Sequence, residues 1–220
     1  MPINPIPGQP GLMRDDQTGE IYNIRDFREG DKYDTVAIGQ NGASTTIQAG
    51  TEFVFFQDIQ QKRELDTNIK TPRKLSAGES MIMDRIGLYV RSAAGDNTCR
   101  AQNVKKVIDN AFFRLKINDI LQDEGPAVKF PSGYGFYGTT TENNASILSI
   151  GVPATASAAR LVKKQLLNQN HELDGVMRYD ARTWCAAQLQ NANTADRPTI
   201  DEVILVTCML HGLIRAAVTK

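Results

Sequence analysis

The stretch that most constrains this chain is Asp201-Glu-Val-Ile-Leu-Val-Thr-Cys-Met-Leu-His-Gly-Leu-Ile-Arg215. In an extended strand Val203, Leu205, Thr207 and Met209 share one face, and Ile204, Val206, Cys208 and Leu210 share the other, because strand side chains alternate. Both faces are mostly apolar, so such a strand must be covered on both sides or lie centrally in a sheet. A buried helix fits an apolar run of this length too. The β-branched residues Val203, Ile204, Val206 and Thr207 favour the strand. A late strand at the centre of a sheet takes its neighbours from far back in the sequence, which predicts a fold built on non-local pairings.

The earlier segments supply such neighbours. Thr51–Asp58 is strand-like, with Phe53 and Phe55 on one face and Val54 and Phe56 on the other. Glu79–Val90 is a second strand, on which Ile82, Ile86, Leu88 and Val90 are expected to share a face. Ala111–Ile117 alternates cleanly, with Phe113, Leu115 and Ile117 inward. Thr35–Gly39 reads as a short strand, and Asn41-Gly42 as a tight turn returning through Ser44–Gln48 as a hairpin. Ser146–Val152 and Glu172–Tyr179 are further strands, and Leu161–Leu167 fits helix or strand. Val104, Val107 and Ile108 lie at helical spacing and predict a short amphipathic helix over 101–110.

Eight to ten short strands, one or two helices and no repeated βα unit indicate an all-β sandwich or barrel. A single jelly roll over residues 35–220 fits this count and the apolar last strand. The expected core is Phe53, Phe55, Ile82, Ile86, Leu88, Phe113, Leu115, Ile117, Val203, Leu205 and Met209.

Residues 1–34 read differently. Pro2, Pro5, Pro7 and Pro10 forbid helix and central strand. A disordered terminus and an arm reaching a neighbouring subunit both fit. Ile3, Ile6 and Leu12 would anchor such an arm, and it is expected to lie against another subunit rather than its own sandwich. Residues 13–34 read as a loosely packed loop.

Composition narrows the function. Lys plus Arg equals Asp plus Glu at 25 each, whereas a free-standing nucleic-acid binder shows a basic excess, so no specific nucleic-acid binding is expected. Three scattered cysteines imply no disulfide framework and fit a chain folded in a cytoplasm. No run reaches membrane-span length, and no signal-peptide pattern is visible.

The chemical motifs fail on context. Gly133-Tyr-Gly-Phe-Tyr-Gly138 matches G-x-G-x-x-G, but Pro131 precedes it and a poor helix start follows. An aromatic-tipped surface loop carrying Tyr134, Phe136 and Tyr137 is the better reading, and it is an expected contact with a neighbour or ligand. His171-Glu-Leu-Asp-Gly175 begins like a zinc motif, but Gly175 stands where the second histidine belongs. His211, the other histidine, is expected to be buried and hydrogen-bonded. Hence no catalytic residue, metal or cofactor is expected.

Thr51-Glu-Phe-Val-Phe-Phe-Gln57 and Leu75–Val90 resemble the early strands of jelly-roll virion proteins of bacterial viruses. Asn168–Gly175 is similar to the turn before a late strand of that family, and Val203–Arg215 to its final strand, closed by Gly-x-x-Arg. The resemblance covers most of residues 50–215. It implies a capsid (coat) subunit that self-assembles in the virion of a tailless icosahedral virus. Other copies, other virion proteins and, in many such viruses, an internal membrane would be its partners. It transfers no catalytic residues. One sandwich-sized region stands here where many relatives carry two. The alternative is a receptor- or carbohydrate-binding spike or vertex protein, favoured by the aromatic loop; a sandwich-fold enzyme is disfavoured by the scarcity of histidine.

Overall fold

The computed structural model describes residues 3–16, 18–39, 45–47, 50–93, 104, 107–132, 137–140, 146–149, 158–179, 199–200 and 203–216. The fold is all-β. One four-stranded sheet contains β4 (Arg28–Ile38), β15 (Ile204–Arg215), β7 (Ser80–Ser92) and β12 (Ala159–Asn168), in that spatial order. The other contains β6 (Glu52–Phe55), β13 (Leu173–Tyr179), β8 (Ala111–Ile117) and β9 (Ile120–Pro126). All neighbouring strands in both are antiparallel.

The sheets face each other across one core. Met81, Met83, Ile86, Leu88, Leu167, Ile204, Val206, Cys208 and Leu210 come from the first sheet, and Phe55, Phe113, Leu115, Ile117, Leu173 and Met177 from the second. Phe113 sits at the aromatic centre, edge-on to Phe55 at 6.0 Å and to Phe130 at 5.0 Å between ring centroids. Val104 and Val107, on the predicted helix, are buried in the same core. Burial raises the Cys208 thiol well above its ordinary value, and the side chain behaves as a small apolar residue.

β15 lies between β7 and β4, as its two apolar faces require. The predicted inward face is corrected. Ile204, Val206, Cys208 and Leu210 point into the core, while Val203, Leu205 and Met209 are half-buried on the outer side. Ile82 is also reassigned: it faces outward with Leu166, whereas Ile86, Leu88 and Val90 face inward. The cause is a β-bulge. Pairing with β15 jumps from Arg85 to Met83 across His211 and Gly212, so Asp84 is an extra residue and the alternation of β7 reverses there. Phe53 is half-buried at the rim, packed edge-on to Tyr179.

The N-terminal expectation is corrected as well. β1 (Ile3–Pro5), β2 (Leu12–Asp15) and β3 (Ile21–Asn23) form an antiparallel meander. Ile3, Met13, Tyr22 and Phe27 pack on Ile82 and Leu166 of the first sheet. That sheet has an apolar outer patch, which the meander covers. The sheet strand β4 begins at Arg28, ahead of the expected boundary at residue 35. The predicted hairpin is replaced by a different pairing, β5 (Thr45–Thr46) with β14 (Thr199–Ile200), and Asn41-Gly42 lies outside the described residues. β10 (Tyr137–Thr140) and β11 (Ser146–Ser149) form a separate two-stranded ribbon.

β4 is an edge strand, and two of its inward positions are charged. Lys32 donates to Glu79 at 2.9 Å. Asp34, fully buried, accepts from Lys62 Nζ at 2.9 and 2.8 Å and from the Phe56 N–H at 2.7 Å. The connection from β6 to β7 also lines the β4 edge: Asn68 accepts from the Tyr33 N–H and donates to the Asp31 carbonyl, while Tyr33 donates to the Glu64 carbonyl. The edge is thereby protected by inward charges and a covering loop.

Two outcomes are expected. Phe113→Ala should cost about 3–5 kcal/mol and Leu210→Ala about 2–5 kcal/mol, while Leu205→Ala, on the outer face, should cost less than either; urea midpoints rank the three. Burial raises the Glu79 carboxyl, but the Lys32 hydrogen bond and charge outweigh it and hold the group below its usual value. Its contribution is present at neutral pH and lost as pH falls through the folded-state value. Glu79→Gln should therefore lower stability at about pH 7 and leave it nearly unchanged at about pH 3, as read from denaturation at each pH.

Candidate functional site

Among the described residues, polar side chains line a concavity on the outer face of the first sheet, beside the N-terminal meander. β4 contributes Glu29, Gly30 and Asp31; β7 contributes Asp84 and Arg85; β15 contributes His211 and Gly212. Ser132, Ala158, Lys164 and Leu213 complete the walls of a cleft of about 520 Å³.

Irregular strand geometry makes this space. On β7 the bulged Asp84 turns out beside Arg85, to which it bonds at 3.1 Å. β12 leaves the β7 ladder between Arg160 and Gln165, which opens the sheet at Lys164. Two glycines permit the close approaches. A Cβ on Gly212 would lie 2.0 Å from the Ile82 carbonyl oxygen, and one on Gly87 would lie 2.6 Å from Ser132 Cα and 3.2 Å from His211 Nε2.

His211 and Asp31 are directly opposed across the β15–β4 ladder, and His211 Nδ1 lies 2.8 Å from Asp31 Oδ1. The expected buried, hydrogen-bonded histidine is found, and its carboxylate partner fixes the ring's orientation. On the same face Thr35 and Thr207 are joined at 2.8 Å between hydroxyls. The cleft thus offers carboxylates, a guanidinium and an ammonium at once, with the His211 imidazole buried in its wall. Such a surface suits a hydroxyl-rich or zwitterionic group better than a simple anion or cation. Among the described residues no group of three or more His, Cys, Asp or Glu side chains is placed to hold a metal ion.

His171, from the broken zinc motif, serves a turn. Its Nδ1 accepts from the Asn168 N–H at 3.2 Å, and the His171 backbone N–H donates to the Asn168 carbonyl at 3.0 Å. Burial holds the imidazole below its ordinary pKa, consistent with this acceptor role.

The predicted subunit-contact residues divide. Ile3 is 2% exposed, buried against its own chain, which corrects the expectation that the segment lies off its own sandwich. Pro5 is an exposed strand residue, opposite Met13. Pro7 and Pro10 are exposed in the return turn, Ile6 and Leu12 are half-buried, and the Ile6 N–H donates to the Leu12 carbonyl at 3.1 Å. Tyr134 and Phe136 lie outside the described residues; Tyr137 begins β10, and its side chain lies outside them too.

A group missed in the sequence is the tip and edge of β8–β9. Asn118 and Asp119 both have positive φ, 49° and 63°, in a two-residue hairpin loop of the primed kind. Asn118 also accepts from the Glu172 N–H at 2.7 Å. Beyond it, Ile120, Leu121 and Val128 are exposed. The Asn-Asp pair before two aliphatic residues was the available signal.

No protein-family model, curated protein or solved structure matches the chain. The class that fold and site define is an all-β protein of two facing antiparallel sheets with a polar outer cleft.

Burial of Ile3 generates a test. Ile3→Ala should lower the stability of the chain by about 2–5 kcal/mol, and deleting residues 2–12 should lower it further, in thermal or urea melts.

Proposed function

We propose that this chain is a structural virion protein, a capsid subunit of an icosahedral bacterial virus, built on a single jelly roll. The observation that carries the reading is the strand order. Count the eight sheet strands β4, β6, β7, β8, β9, β12, β13 and β15 as first to eighth. The sheets then run first–eighth–third–sixth and second–seventh–fourth–fifth. Two Greek keys wound together produce this nesting, the arrangement found in capsid and lectin jelly rolls. β5, β10, β11 and β14 are then insertions between the eight.

Fold alone does not name a function. The segments that resemble virion proteins add to it, because residues 51–57, 75–90 and 203–215 fall on β6, β7 and β15, three strands of the nested set. Exposed aliphatic residues on the sandwich flank suit a protein that buries them in assembly. In this reading the chain works in the virion without catalysis or cofactor, with other copies of itself and other virion proteins as partners and, in a membrane-containing virus, the underlying bilayer.

The outer cleft favours a second reading, a glycan-binding spike or vertex protein, since its carboxylates, Arg85 and Lys164 offer acceptors and donors to sugar hydroxyls.

Purified chain should form rings or closed particles in light scattering and electron cryo-microscopy as its concentration is raised. A protein that stays monomeric throughout, yet is retained on immobilised glycans, would replace the capsid reading with the second.

A further inference from the structure

The two flanks of the sandwich differ in a way that selects a partner. On one side the sheets end in β9 and β12, and on the other in β6 and β4. The β9 flank exposes Ile120 (59%), Leu121 (45%) and Val128 (63%). The β9 edge of this flank carries Asp119, Asp123 and Glu124, with Lys129 paired to Asp123, while the basic residues Arg160, Lys163 and Lys164 lie on its β12 edge. The opposite flank is formed by the connection from Phe56 to Leu75, which lines the β4 edge through Thr67 and Asn68. That connection exposes Leu65 (71%) among Arg63, Lys70 and Lys74, with Asp58 and Glu64 as its exposed acids.

The β9 edge and the β6–β7 connection therefore each pair aliphatic surface with charge, acid being in excess on the first and base on the second. Among the described residues neither Asp119 and Glu124 on one flank nor Arg63, Lys70 and Lys74 on the other make an ion pair within the chain. Exposed aliphatic clusters rimmed by charge mark interaction surfaces. Complementary rims fix the register of partners and reject like-charged faces. Two complementary surfaces pointing in opposite directions on one subunit are what a head-to-tail contact needs, and such contacts close into rings when the rotation allows.

We propose that the partner of the β9 flank is the β6–β7 connection of a second copy, so that copies associate flank to flank in one direction. This rests on the self-assembly reading above and deepens it. Ile120, Leu121 and Val128 would pack on Leu65, with Asp119 and Glu124 facing Arg63 and Lys70 of the neighbour. The β4 edge, already covered within the subunit, would contribute its covering loop rather than its backbone.

The test is charge reversal on the full chain, with circular dichroism melts to confirm folding and particle or ring yield as the readout. Asp119→Lys with Glu124→Lys should reduce yield at least tenfold, and so should Arg63→Glu with Lys70→Glu. The chain carrying all four substitutions should recover most of it. Because Asp119 occupies a strained turn, Val128→Asp serves as an independent block and should also reduce yield at unchanged melting temperature. Reversals that leave yield unchanged, loss from one flank only, or no recovery in the fourfold variant would overturn the flank-to-flank contact while leaving self-assembly standing. Failure of the unmodified chain to assemble under any condition would remove the underlying reading, and this contact with it.

Discussion

A carboxylate with no solvent contact holds the two sheets together at one flank. Asp34 sits on an inward position of β4, where an aliphatic residue would ordinarily stand. Leaving such a charge unpaired in a protein interior costs several kcal/mol. Lys62 and the Phe56 N–H meet that demand, and both come from the chain that leaves the second sheet at β6. The consequence reaches the backbone. Phe56 is buried at φ 65°, a conformation unfavourable for a bulky residue, and it is held there by its bond to Asp34 and by the Arg73 N–H on its carbonyl at 2.6 Å. The same anchoring sets the course of the loop that shields the β4 edge and carries Leu65. Removing the carboxylate would release strain, loop and flank together.

The strands β6, β7, β8, β13 and β15 are legible in this sequence, and their facing only in part. Ala111–Ile117 has one charged or rim-facing residue between each pair of apolar ones, and its inward set was read correctly. Val203–Met209 is apolar on both faces, so alternation names two sets without ranking them. The decision came from what faces each side: the second sheet covers Ile204, Val206, Cys208 and Leu210, whereas on the outer face the N-terminal meander packs on Leu213 and leaves Val203, Leu205 and Met209 half-buried. Nor does local pattern reveal a bulge. Asp84 resets the parity of β7, and the glycine that permits it, Gly212, lies on a strand far away in sequence.

The proline-rich beginning was misread for a related reason. Proline excludes helix and central strand, and both exclusions hold. It does not exclude short edge pairing, which Pro5 makes at the end of β1. The outer patch of Ile82, Leu166 and Leu213 that receives Ile3 can be seen only once three strands are aligned. The cleft was equally hidden: Asp31 and His211 stand at the two ends of the chain, and only the β4–β15 register joins them. The turn at Asn118-Asp119, by contrast, is readable from local sequence alone.

The position of β15 has a consequence for the order of events during synthesis. β4 and β7 do not touch as neighbours; each waits for β15 to come between them. A ribosome makes both long before it reaches Ile204, and until then the first sheet lacks its centre. The nascent chain must hold its early strands through the whole interval from Ser92 to Ile204 without their principal partner. Any message or chain broken in that interval yields a product that lacks a central strand, hence a sheet that does not close. Completeness of translation is thus inspected by the fold itself, before both flanks of the sandwich exist.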